Sequence, residues 1–127
     1  SMDIEPQLAQ QGGCCVVYDF PKSQASLAIV EGDIAKRFEV YLNGIELANG
    51  FQELMDASEQ VKRFKTDNQQ RKNSAQREKK IDPYFIDALK HGLPECSGVA
   101  LGIDRLIMAV LNIKEISKVL SFSMPNI

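Results

Sequence analysis

The chain has 127 residues, 44% of them hydrophobic, enough for one domain with a core of moderate size. Fifteen basic residues against seventeen acidic ones leave a net charge of −2, so bulk charge makes no case for wrapping nucleic acid. Cys14, Cys15 and Cys96 form no CxxC pair and His91 is the single histidine, which excludes a familiar zinc set and fits a reducing cytoplasm. No apolar run reaches roughly 18 residues and no leader pattern stands at the start, so neither membrane spanning nor secretion is expected.

Ser1-Met2 reads as a cloning scar, and residues 1–13 as a polar lead ahead of a domain over 14–127. "CCVVYDFP" (14–21) is rich in β-formers and stopped by Pro21, which predicts a strand. The following "KSQASLAIVEGD" has weak periodicity and reads as an irregular connection with a short helical turn.

"RFEVYLNGIELANGFQEL" (37–54) has two alternating runs around Asn43-Gly44, a dipeptide suited to a type I′ turn, and predicts a β-hairpin. Such a turn pairs Leu42 with Ile45 and Glu39 with Ala48. Phe38, Val40, Leu42, Ile45 and Leu47 then form an apolar face, and Glu39, Tyr41 and Glu46 a wet one. Two carboxylates on one face repel each other unless a cation intervenes, and such oxygen ligands suit magnesium; acidic residues on a solvated hairpin face are equally ordinary.

Asp56 with Glu59 three positions later predicts a helix start, with Val61 and Phe64 as its buried positions. The stretch "KTDNQQRKNSAQREKK" is nearly all polar and reads as a solvated helix end and loop rather than a nucleic-acid patch, because acidic and amide residues dilute its charge. Asp82-Pro83 starts a short helix over 83–91 that Gly92 stops. His91 beside that stop is a partner for the helix dipole, with no chemistry assigned.

Residues 96–102 predict a strand on which Gly98, Ala100 and Gly102 recur every second position and leave one face bare. Asp104 is the expected cap of the next helix, where Ile103, Leu106, Ile107, Val110 and Leu111 have the spacing of a buried stripe. Arg105 stands where the helix dipole disfavours a cation by about 0.3–1 kcal/mol, so something nearby must compensate. A nucleotide would do so: a guanidinium stacks on a base and neutralises phosphate, while a smooth strand admits a flat ligand. Close strand packing with Arg105 paired to a local carboxylate accounts for the same residues.

Taken together, "RFEVYLNGIELANGFQEL" and "SGVALGIDRLIMAVL" resemble the last part of a class II lysyl-tRNA synthetase catalytic domain, the second stretch matching motif 3 over 98–111. "FPKSQASLA", "GIELANGFQEL" and "PECSGVALGIDRL" look like a bacterial branch of that family that ligates (R)-β-lysine to translation elongation factor P. The resemblance implies an α+β fold with a four-stranded antiparallel sheet and helices mainly on one side. It implies ATP and magnesium, with Arg105 on the adenine and phosphates, Gly102 beside it, and Glu39 and Glu46 holding the ion. Asn49, Phe51 and Glu53 would line the amino-acid pocket, Glu53 taking the lysine ammonium, over a floor of Gly98, Ala100 and Gly102. Ala100 departs from the glycine that lysyl-tRNA synthetases carry there; one methyl supports altered selectivity of about 1–3 kcal/mol.

Strict alternation places Asn49, Phe51 and Glu53 on the opposite face from Glu39 and Glu46, so the resemblance requires a β-bulge or twist between Ala48 and Gly50. Motifs 1 and 2 of the class are not found in these residues, so the chain alone is not expected to sustain full catalysis. Lysine or (R)-β-lysine as substrate and the elongation factor as acceptor are the expected partners. A lysyl-tRNA synthetase piece acting on tRNA, and a non-catalytic binding module, are the alternatives. Self-association through strand edges is expected of a partial sheet.

Overall fold

The computed structural model describes residues 5–123. They divide into two compact units, one of residues 5–20, 37–50 and 99–123, the other of Pro21–Lys36 and Phe51–Gly98. The five-stranded sheet runs β1 (Cys14–Pro21), β3 (Ile34–Leu42), β4 (Ile45–Gln52), β5 (Ser97–Leu101), with β2 (Val30–Glu31) pairing antiparallel to the start of β3. The fold is α+β, with one strand more than expected.

In the first unit, the polar lead is not irregular: Glu5–Gln11 form a helix, α1. It lies against the hairpin turn, where Asn43 and Gly44 have φ of 51° and 79°, the positive values that a type I′ turn needs. A Cβ on Gly44 would stand 2.4 Å from the Ala9 Cβ and 2.7 Å from its Cα, so the turn admits no side chain there. Asn43 exchanges two hydrogen bonds with Gly13 in the same corner, its N–H donating to the Gly13 carbonyl while its side-chain Oδ1 accepts from the Gly13 N–H.

Asp19 has φ of 56° inside β1 and shifts the burial alternation by one residue, so that Phe20 rather than Asp19 turns inward. Phe20, Tyr41, Leu47, Ala48 and Met108 form the core of this unit. Two expectations fail here. Helix α4 (Ile103–Val110) is capped by Gly102 without a side-chain bond, and Asp104 sits in its first turn. Its apolar stripe is not buried: Ile103, Ile107, Val110 and Leu111 are exposed, Val110 by 70%, because no described residues cover that face.

In the second unit, a 3-10 turn (Lys22–Gln24) opens the irregular connection. Helix α2 (Ala57–Asn73) starts as expected, the Asp56 side chain accepting from the Ser58 and Glu59 N–H groups. Its most buried residue is Gln60, with Val61 and Phe64 half-buried. Helix α3 (Pro83–His91) is capped by Asp82 and stopped by Gly92 at φ 107°. The two helices meet through Phe64 and Phe85, ring centroids 6.1 Å apart. Arg63 ties α2 to the preceding loop by donating to the Ser26 and Ala28 carbonyls. Among the described residues no helix is long and apolar enough to cross a membrane.

Candidate active site

The first unit gathers a polar cluster under the hairpin. Arg37, Glu39 and Tyr41 occupy alternate positions of β3 and therefore share a face. The Glu39 carboxylate is 2% exposed and accepts from the Arg37 guanidinium, the Tyr41 hydroxyl and, at 3.4 Å, the Asn49 amide. Arg37 Nε donates to Asn49 Oδ1 at 3.4 Å, and its guanidinium lies 4.5 Å from the centre of the Phe20 ring. Glu39 and Tyr41 are thus the inner face of β3, and the expected wet side is the buried one. The reason is pairing: an arginine and a phenol at i−2 and i+2 satisfy a carboxylate that would otherwise stay in water.

Asn49 reaches the Glu39 side, although an unbroken ladder from the turn would set it opposite Phe38 on the other face. This accords with the change of face that the resemblance calls for near Asn49. Against β5 there is no break: the Gly102 N–H donates to the Leu47 carbonyl and the Glu53 N–H to the Cys96 carbonyl, the same antiparallel offset. With that offset Asn49 stands opposite Ala100 and shares its face.

Arg105 is compensated as its position demands. Its Nη1 donates to the Glu46 carbonyl at 3.0 Å and lies 4.0 Å from the Glu46 carboxylate. A Cβ on Gly102 would meet the Arg105 stem at 3.5 Å, an ordinary contact, so this glycine is not required by crowding.

In the second unit, the Glu53–Cys96 bond sets Phe51 opposite Gly98. A Cβ on Gly98 would stand 2.5 Å from Glu53 Oε1, so the bare position is where the carboxylate lies. Glu53 is half-buried, and among the described residues its carboxylate has no hydrogen-bond or ion-pair partner. A half-buried carboxylate with free lone pairs can accept from a cationic group.

Of the pair expected to hold magnesium, the Glu39 carboxylate accepts from Arg37, Tyr41 and Asn49, while the Glu46 carboxylate lies 4.0 Å from Arg105 Nη1 and has no hydrogen bond among the described residues. No group of three or more His, Cys, Asp or Glu among the described residues makes a metal cage. Sequence reasoning missed Arg37 and Phe20; the signal was the alternation of Arg37, Glu39 and Tyr41, a charge-compensated triple.

A family model of the class II tRNA synthetases (D, K and N) matches residues 6–126. The elongation factor P–(R)-β-lysine ligase of Yersinia enterocolitica is 50% identical over 125 residues, 96% of this chain and 38% of that protein. The ligase of the same name from Pectobacterium carotovorum is 51% identical over 123 residues, 94% of this chain and 38% of its own length. That of Proteus mirabilis is 56% identical over 109 residues, 84% of this chain and 34% of its own length. The chain thus spans well under half the length of the curated relatives it matches.

Proposed function

Because the chain belongs to the class II tRNA synthetase family (D, K and N), we propose that it forms part of an ATP-dependent ligase that activates (R)-β-lysine or lysine and passes it to a lysine of elongation factor P. The observation that carries this reading is the Glu53 carboxylate, half-buried and without a partner among the described residues, lying over the bare Gly98. A side-chain ammonium supplies the missing charge and donors. The names of the relatives support the acylation of a protein rather than of tRNA, and Ala100 in place of the lysyl-tRNA synthetase glycine accords with them.

In this reaction a carboxylate oxygen of the amino acid attacks the α-phosphorus of ATP, and the bond to pyrophosphate breaks. The acceptor amine then attacks the acyl carbon, AMP leaves with the bonding pair, and the amine gives up a proton as the amide forms. Glu53 fixes the amino acid by its far end, which orients the reacting carboxylate. Arg105, kept extended by the Glu46 carbonyl, lies over the adenine and offsets phosphate charge. Arg37 and Tyr41 act through Glu39, holding Asn49 in place beside Ala100. Glu39 and Glu46 are the carboxylates that would hold magnesium, which would offset phosphate charge, and no step is routed through it.

Calorimetric titration of the chain with (R)-β-lysine and with L-lysine tests the reading. Wild type binds at least one of them, and Glu53→Gln weakens that binding by about tenfold or more, the loss expected for a charge-assisted contact. Equal binding by the variant would remove the basis for the pocket.

A further inference from the structure

Residues 62–80 carry eight basic side chains against two acidic ones, in a chain whose net charge is −2. Lys62 and Arg63 are paired with Glu59. Lys65, Lys72, Arg77, Lys79 and Lys80 have no ionic partner among the described residues, and all five are exposed. Within one unit Lys79 and Lys80 line a cleft of about 810 Å³ between α2 and the segment 74–82, with Leu27, Phe64, Ile81 and Phe85 also in its lining, and Lys65, Lys72 and Arg77 each follow a lining residue, Phe64, Arg71 and Gln76. The segment is tied down: the Asn68 amide both donates to the Lys79 carbonyl (2.8 Å) and accepts from its N–H (2.9 Å), and Arg71 Nε donates to the Arg77 carbonyl (2.9 Å). The cations are therefore presented on a frame whose ordering cost is already met by folding.

We propose that this basic-rimmed cleft docks an acidic loop of the acceptor protein, with an apolar side chain of that loop seated on the Phe64 and Phe85 floor. The proposal rests on the reading that the acceptor is a protein. The cleft favours a peptide over nucleic acid for two reasons. Asp67 and Asp82 stand in its lining, where they would repel a continuous phosphate chain but accept from peptide amides. The two aromatic rings are tilted 48° to each other with centroids 6.1 Å apart, and so do not present the parallel faces on which successive bases stack. Unneutralised rim cations speed encounter with an acidic partner and set its orientation, an effect that salt screens.

The test compares the chain with the triple variant K72E/K79E/K80E, with folding of both checked by circular dichroism. Binding to purified elongation factor P is measured by biolayer interferometry at about 50 and about 300 mM salt. Wild type is expected to bind in a salt-sensitive way, and the variant to bind at least about tenfold more weakly, mostly through slower association. Both should bind the amino acid alike in a parallel titration, because none of the three lysines belongs to the pocket. Equal factor binding by the two proteins, or no factor binding by a wild type that still binds the amino acid, would overturn the docking surface and leave the pocket standing. Loss of amino-acid binding alone would instead count against the pocket, while factor binding would still decide the cleft. A single-stranded RNA oligonucleotide that displaces the factor from wild type and binds the variant poorly would reassign the cleft to nucleic acid.

Discussion

Glu39 and Glu53 are two inward carboxylates in different units, and their surroundings differ in kind. Glu39 is almost wholly buried and accepts from a guanidinium, a phenol and an amide, so its charge is satisfied by the fold itself. Glu53 is half-buried, lies against a glycine, and meets no donor among the described residues. A saturated carboxylate is part of the architecture; an unsaturated one is an unspent interaction that a ligand can complete. Beside an arginine on its own strand the side chain is saturated by the fold; against a glycine of β5 it is left open among the described residues.

The contrast breaks most visibly at Arg37. Arg37→Ala would leave Glu39 buried beside only neutral donors, and removing one partner of a buried ion pair costs about 3–5 kcal/mol. Urea unfolding should show that loss as a lower midpoint. A variant within about 0.5 kcal/mol of wild type would mean that the Glu39 cluster is wetter than described.

The opposite signature belongs to Glu53. Glu53→Gln removes a charge that no described residue pairs, so stability should stay within about 0.5 kcal/mol while amino-acid affinity falls about tenfold. Destabilisation comparable to that of Arg37→Ala would make Glu53 a structural residue and erase the distinction. Gly98→Ala sharpens the same point by geometry. The new methyl would push the Glu53 carboxylate, the free end of a flexible side chain, off its position. Affinity should fall by a few-fold, within about 1 kcal/mol, with melting little changed.

How far such roles can be read from sequence depends on how local their causes are. The Asn43-Gly44 turn and the Asp56 and Asp82 caps were legible because each is set by a handful of adjacent residues. Helix α1 was not, since what holds it is contact with the turn some thirty residues on, at Ala9 against Gly44. The face of β3 was misread for a related reason: alternation shows that Arg37, Glu39 and Tyr41 share a side but not which side is covered, and their mutual pairing makes a polar triple fit to be buried. The α4 stripe failed in the reverse direction. Its spacing is that of a buried face, and the described residues bring nothing to lie on it. Within the site, the bare Gly98 was legible from its two-residue period, whereas the open Glu53 beside it depended on resemblance, because absence of a partner is a property of three-dimensional surroundings.

Arg105 gives the smallest expected change in stability and so the cleanest separation of fold from function. Its contact with Glu46 is half-exposed, and exposed ion pairs contribute about 0–1 kcal/mol. Against this stands the helix dipole, which disfavours a cation in the first turn of α4 by about 0.3–1 kcal/mol. The two terms nearly cancel, so Arg105→Ala should melt close to wild type. If the guanidinium is kept at this unfavourable position for a nucleotide, the same variant should lose ATP affinity by about tenfold or more in a calorimetric titration. Unchanged ATP binding with a clear loss of stability would reverse the assignment and make the Glu46 contact the reason for the arginine.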